Sequence, residues 1–213
     1  MKSTIILAED HEMLRDGLRR LIEETDDLEV VAETSDGAEA VVLAEQLHPD
    51  VVVMDIWLPR LSGIEATRKV SGTGRSRVLI LSQHESWGYV QEALKAGATG
   101  YLVKTSSATQ LLLAIRAVCS GRSFLSPEIA SHLVGALARP EPDLRSPMGA
   151  LSGREREVLQ LIGEGLSSKE IASSLNVSTR TVEAHRANVM QKLNIHKVAS
   201  LVRFAIREGL ISP

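Results

Sequence analysis

The sequence predicts an α/β domain with a parallel, doubly wound sheet, followed by a smaller all-helical domain. Short apolar, β-branched runs alternate with segments of helical period five times in the first 120 residues, as parallel strands joined by crossover helices require. Between residues 138 and 150 lie Pro140, Pro142, Pro147 and Gly149 among Glu141, Asp143, Arg145 and Ser146. That composition continues no helix and has no packing period. Beyond it only helical patterns remain.

Strands are expected at 4–8, 29–32, 51–54, 78–81 and 101–103, each short, apolar and largely β-branched. Helical stripes run through Met13, Leu14, Leu18, Leu21 and Ile22, and through Ala38, Val41, Val42 and Ala44. Later ones use Val90, Ala93 and Leu94, and then Leu111, Leu112, Ile115 and Val118. In the tail, Ser152 is the expected N-cap of a helix, with Glu155 closing a capping box. Further helices are expected at 168–175, 178–193 and 197–207, with Asn176 in a turn and Ser178 as an N-cap. The domain boundaries are then 1–122, a helical and Pro-rich linker at 123–147, and 148–213.

Composition agrees with two soluble domains. The chain is 44% hydrophobic and 24% charged, but only 3% aromatic, so aliphatic side chains do most of the packing. The single cysteine, Cys119, excludes an internal disulfide and reads as a small buried hydrophobe in a reducing compartment. The start, Met1-Lys2-Ser3-Thr4, reaches Glu9-Asp10 without a signal-peptide pattern, and no apolar run approaches the ~20 residues of a membrane helix. A cytoplasmic protein is expected. The net charge of -3 is split: residues 1–150 carry 15 Lys/Arg against 21 Asp/Glu, and residues 151–213 carry 9 against 6. An acidic front and a basic tail suggest different partners, with nucleic acid a candidate for the tail.

Ligands of parallel α/β sheets bind outside the carboxyl ends of the strands. Glu9 and Asp10 follow the first strand, Asp55 ends the third, Ser82 the fourth, and Lys104 follows the fifth. Three carboxylates, a hydroxyl and an ammonium group would therefore face one cleft. The carboxylates and the backbone carbonyl of Trp57 suit Mg²⁺, a hard cation that takes oxygen ligands. Asp55 would then be a nucleophile toward a phosphoryl group, with Lys104 and Ser82 stabilising the added charge. Singly, each residue has a plainer explanation as a turn cap or a solvated side chain. Their order on successive strand ends makes the joint reading the better one.

On these residues, positions 1–120 resemble the receiver domain of bacterial two-component response regulators. The acidic pair is Glu9-Asp10, the Asp-x-x-Leu-Pro-x-x-x-Gly pattern is Asp55 with Leu58, Pro59 and Gly63, and Ser82 and Lys104 complete the set. The resemblance implies a five-stranded, flavodoxin-like fold, phosphorylation at Asp55 by a histidine kinase, and Mg²⁺ at Glu9, Asp10, Asp55 and the Trp57 carbonyl. It also implies that Ser82 and Tyr101 form a switch pair. Three residues depart from the common pattern: Gln83 after Ser82, bulky Trp57 beside Asp55, and Thr105 in place of a frequent Pro. Gln83 would narrow access to the site, and Trp57 would shield it from water.

The segment from Gly165 to Asn188 reads helix, turn, helix. Ile171, Ala172 and Leu175 form an apolar face on the first helix, and Val182, Val189 and Leu193 form one on the second. Residues 151–211 resemble the LuxR-type helix-turn-helix, through Leu-Ser-Gly-Arg-Glu-Arg-Glu-Val-Leu at 151–159, Ser-Lys-Glu-Ile-Ala at 168–172 and Thr-Val-Glu-Ala-His-Arg at 181–186. Double-stranded promoter DNA is the implied partner, with the second helix in the major groove. Glu183, Ala184 and Ala187 would face bases. Lys169, Thr179, Thr181, Arg186 and Lys192 would lie near phosphates, with Ser178, Arg180 and Asn188 on the same surface. The last helix, with Ala199, Leu201, Val202 and Ala205, resembles the family's dimer-forming helix and implies a homodimer when active.

The expected function is a two-component response regulator and DNA-binding transcription factor of the NarL/FixJ type, not an enzyme. Phosphorylation of Asp55 would shift the receiver to an active state that promotes dimerisation and promoter binding. One alternative is a phosphorylation-independent transcription regulator with an atypical receiver. A phosphatase of the haloacid dehalogenase type is disfavoured, because its second Asp, two residues on, is Trp57 here. A nucleotide-binding domain is disfavoured because no Gly-rich loop follows the first strand.

Overall fold

The computed structural model describes residues 2–83, 87–138, 150–175, 177–208 and 210–211. Asn176 and the Pro-rich stretch 139–149, both singled out in the sequence, lie outside the described residues. The chain divides into two compact units, residues 1–143 and 144–213.

In the first unit the chain runs β1 Ser3–Ala8, α1 Glu12–Glu23, β2 Leu28–Thr34, α2 Gly37–Leu47, β3 Val51–Asp55 and α3 Gly63–Gly72. It continues through β4 Arg77–Ser82, α4 Trp87–Lys95, β5 Gly100–Val103, α5 Ala108–Cys119, β6 Phe124–Leu125 and α6 Pro127–Ala138. The sheet order is β2-β1-β3-β4-β5-β6, and every pairing is parallel. The five expected strands are joined by a sixth of two residues, which pairs with β5 at Gly100–Phe124 and Tyr101–Leu125. Two residues carry no period, so nothing in the pattern of 123–147 marks them. Helix α3 gives little apolar stripe, because Ala66, Thr67 and Val70 with Glu65 make up most of its buried face.

The sheet separates two apolar clusters, and the pleat decides which residue joins which. Ile6, Ala8, Val52, Met54, Val78, Ile80, Tyr101 and Val103 pack in one cluster, with Ala40 of α2, Val70 of α3, Val90 of α4 and Ile129 of α6. Ile5, Leu7, Val51, Val53, Leu79, Leu81 and Leu102 pack in the other, with Ile22 of α1 and Ile115 of α5. All five residues of β3 are buried. Burying each large aliphatic side chain contributes about 1.5–3 kcal/mol before ordering costs are subtracted. Cys119 is half-buried against the second cluster rather than fully inside, and burial pushes its thiol pKa up.

The second unit is helical: α7 Gly153–Gly163, α8 Ser168–Ser174, α9 Thr179–Leu193 and α10 Val198–Arg207. Capping boxes start α7 at Ser152 with Glu155 and α8 at Ser167 with Glu170. Ser178 caps α9 by accepting from the Thr181 N–H. Val158, Leu161, Ile171, Val182, Val189, Leu201 and Ala205 close one core.

Candidate functional site

The alternation that fills the two clusters also sorts the residues at the strand ends. Glu9 follows Ala8, Asp55 follows Met54 and Lys104 follows Val103, so all three fall on the α1–α5 side of the sheet. They meet there. Lys104 Nζ lies 2.8 Å from Asp55 Oδ2, 2.9 Å from Glu9 Oε1 and 2.7 Å from Glu9 Oε2. Ser82 follows Leu81 and has the opposite parity, shared with Tyr101. These two hydroxyls are hydrogen-bonded to one another. The Lys104 N–H donates to the Ser82 carbonyl at 2.7 Å, which ties the two groups together.

The site is dry. Asp55 is 5% exposed, Glu9 2% and Ser82 1%. Burial raises the Asp55 pKa to about 6, even though Lys104 and the Trp57 N–H lower it, with Glu9 adding to the rise. Burial alone would lower the Lys104 pKa, but Asp55 and Glu9 outweigh it and the net direction is up. Tyr101 is fully buried, and burial pushes its phenol up. A neutral phenol is the state this burial favours, although the hydrogen bond with Ser82 works the other way.

Backbone contacts fix the loop after β3. A Cβ on Gly63 would sit 1.8 Å from the Asp55 carbonyl oxygen, so only glycine lets α3 start against the strand end. A Cβ on Gly37 would sit 1.8 Å from the Leu61 carbonyl oxygen. Asp36 caps α2 through the Ala38 and Glu39 N–H groups and also pairs with Arg60, whose φ is 62°. The sequence reading missed this clamp, because Asp36 and Arg60 lie on different loops and no periodicity links them. Trp57 is half-buried and packs on the first cluster, while Gln83 is exposed.

Beside Asp55, Glu9 and Asp10 are joined by His11, and their ligand atoms all lie within 4.8 Å of one another. His11 Nδ1 is 2.8 Å from Asp10 Oδ1, and this contact is the main reason its pKa is raised. Glu9 Oε2 is buried and, apart from its ion contact with Lys104, accepts no hydrogen bond among the described residues. Carboxylate oxygens with spare lone pairs, one partly exposed on Asp10, fit a hard divalent cation such as Mg²⁺. The residue next in sequence to Asp10 was the available signal for His11.

In the helical unit, Lys169, Ser178, Thr179, Arg180, Glu183, Ala184, Ala187 and Asn188 are exposed, and Thr181 and Arg186 are half-buried. Lys169 lies on α8, Ser178 caps α9 and the others lie on α9. Lys192 differs: its Nζ is 2.6 Å from Glu155 Oε2 of α7. The four residues expected to form a dimer surface are divided. Leu201 and Ala205 are fully buried in the core of their own unit and cannot line a surface, while Ala199 is exposed and Val202 half-buried. Helix α10 needs its large apolar stripe to close the unit, which is why those two face inward.

Comparison with known proteins places both halves. Residues 5–116 match the family model described as response regulator receiver domain, and residues 149–205 match that of bacterial regulatory proteins, luxR family. The chain is 35% identical over 225 residues to the transcriptional regulatory protein DegU of Brevibacillus brevis, covering 99% of this chain and 95% of that one. It is 37% identical over 208 residues to the response regulator UvrY of Escherichia coli K12, covering 97% and 94%. The crystal structure of the response regulator ChrA, from a heme-sensing two-component system, is 35% identical, with a TM-score of 0.55 and 99% of each chain covered. Among the described residues, no helix is long and apolar enough to cross a membrane.

Proposed function

The chain belongs to the two-component response regulators with a receiver and a LuxR-type DNA-binding domain, transcription regulators rather than enzymes, and from that membership we propose that Asp55 is its phosphoacceptor. The observation that carries this reading is the buried Asp55 carboxylate, 2.8 Å from Lys104 at the open end of the sheet. A histidine kinase is the phosphodonor. A carboxylate oxygen of Asp55 attacks phosphorus, the bond from phosphorus to the donor imidazole breaks, and the donor, protonated at its other ring nitrogen, leaves as neutral histidine.

The residues of the chain do the rest. Lys104 is already in the site and turns from balancing two carboxylates to balancing the new phosphoryl oxygens. The Ser82 hydroxyl hydrogen-bonds the phosphoryl group, and Tyr101 responds to the loss of its partner. Mg²⁺ would be held by Glu9, Asp10, Asp55 and the Trp57 carbonyl, and when bound it supplies positive charge against the crowded anions. His11 orients Asp10. The altered β4–α4 and β5 region then favours dimerisation and binding of the α8–α9 surface to promoter DNA. Moving such an equilibrium from mostly inactive to mostly active takes about 5.5 kcal/mol at the extreme, within reach of several charge-assisted hydrogen bonds.

Intact-protein mass after incubation with Mg²⁺ and a small acyl-phosphate donor tests the proposal. One phosphoryl adduct on the native chain and none on Asp55→Asn is the expected result. An equal adduct on Asp55→Asn, or none on the native chain with either the small donor or a phosphorylated histidine kinase, overturns it.

A further inference from the structure

We propose that Lys192 serves DNA binding as a positioning residue, through its ion pair with Glu155, and not as a phosphate contact. The inference deepens the DNA-binding reading above and rests on it. Lys192 lies in the last turn of α9, and its Nζ is 2.6 Å from Glu155 Oε2 in the first turn of α7. The same oxygen accepts the Ser152 N–H at 2.7 Å, and the Glu155 N–H donates to Ser152 Oγ at 3.3 Å. One carboxylate therefore closes the cap of α7 and holds the far end of α9.

Glu155 is 4% exposed with Lys192 in place. Burial works against its charge, yet hydrogen bonds from Lys192 and Ser152 outweigh burial and hold its carboxyl below the ordinary value. Drawing Lys192 away to a DNA phosphate would remove the cation that Glu155 pairs with and leave its carboxylate with only the Ser152 N–H among these contacts, which is unfavourable. While the pair persists its charges cancel, so Lys192 brings little attraction for a polyanion and displaces no counterion. It instead sets the direction of α9. Ala184 lies eight residues before Lys192, about 12 Å along the helix, so a small tilt at the anchored end moves every base-facing side chain. At the other end, Ser178 caps the helix and Val182 is fully buried. Arg186 reaches Ser168 of α8 only at 3.4 Å.

The two roles predict effects of opposite sign for one substitution. Glu155→Gln keeps an acceptor for the Ser152 N–H but removes the charge that holds Lys192. A phosphate-contacting Lys192 would be freed, so binding would tighten and its salt dependence steepen. A positioning Lys192 would lose its anchor, so binding would weaken.

The experiment uses the full chain, treated with Mg²⁺ and acyl phosphate, and a labelled duplex selected by the native chain from random sequences. Affinity is measured by fluorescence anisotropy across a salt series. Glu155→Gln and Lys192→Met should each weaken binding by about tenfold, the worth of one poorly seated base contact. The double variant should bind no worse than the weaker single one, with all salt slopes unchanged. If Glu155→Gln melts early, Lys192→Met, at a side chain 41% exposed, still decides the matter through its slope. Tighter or native-like binding by Glu155→Gln, or a slope shallower by about 0.9 for Lys192→Met, overturns the proposal. A native chain that enriches no duplex removes the DNA-binding reading itself, and the role of the pair with it.

Discussion

Replacing Asp55 by Asn should make the first unit more stable at neutral pH, although it removes a salt-bridge partner. Burial raises the Asp55 pKa from its ordinary 3.8 to about 6. Between those values the unfolded chain is ionised and the folded one is not, so stability falls as pH rises from about 4 and levels off above about 6. The interval, at about 1.4 kcal/mol per tenfold, corresponds to about 3 kcal/mol. Asn carries no such cost at any pH. The contact with Lys104 is already included in that pKa value, and Lys104 keeps Glu9 as a partner in the variant. The expected net gain is about 1–3 kcal/mol at pH 7.5, shrinking toward zero near pH 4. Urea unfolding in EDTA, followed by tryptophan fluorescence, measures it selectively, because both tryptophans, Trp57 and Trp87, lie in the first unit. An Asn variant no more stable than the native chain at pH 7.5, or equally stabilised at pH 4 and 7.5, would refute the reasoning.

Two further outcomes follow from the same geometry. Gly63→Ala puts a methyl group 1.8 Å from the Asp55 carbonyl oxygen; the loop must shift, at a cost of about 1–3 kcal/mol. Urea unfolding should show that loss, and mass spectrometry should show slower phosphoryl uptake; native values in both would remove the proposed role of the close approach. Tyr101→Phe deletes the hydroxyl bonded to Ser82 and should cost about 1 kcal/mol. It should also narrow the difference in DNA affinity with and without phosphoryl donor, and an unchanged difference would take Tyr101 out of the switch.

Much of the receiver site was legible because a strand is a two-state pattern. Counting alternate residues from the apolar runs assigns Glu9, Asp55 and Lys104 to one side of the sheet and Ser82 and Tyr101 to the other. The ion pairs and the hydroxyl pair follow that division. A slip of one residue in β3 would carry Asp55 to the wrong face, so the site depends on the observed register of β3 against β1 and β4. The Asp36–Arg60 clamp was not legible by the same means, since loop-to-loop contacts obey no period. The short β6 also escaped, because two residues carry no period, whereas α6 lies in the stretch expected to be a helical and Pro-rich linker, with Ile129 as its buried anchor.

The helical unit shows where a 3.6-residue period stops being informative. It identifies the inward stripe of each helix, and Val182, Val189, Leu201 and Ala205 are indeed inside. The same stripe on α10 resembles a surface for a second copy, yet a side chain that closes its own core is not available to a partner. Polar side chains on the remaining arc carry no such label. Lys192 and Lys169 look equivalent in sequence, both basic and both on the outer arc of a helix in the motif. Only the position of Glu155, 37 residues away, separates them. A buried carboxylate needs a cation wherever one can reach, so the demand comes from α7 and the lysine of α9 answers it. Charged residues near a nucleic-acid surface therefore have to be assigned by what else in the fold requires them, before any of them is counted as a phosphate contact.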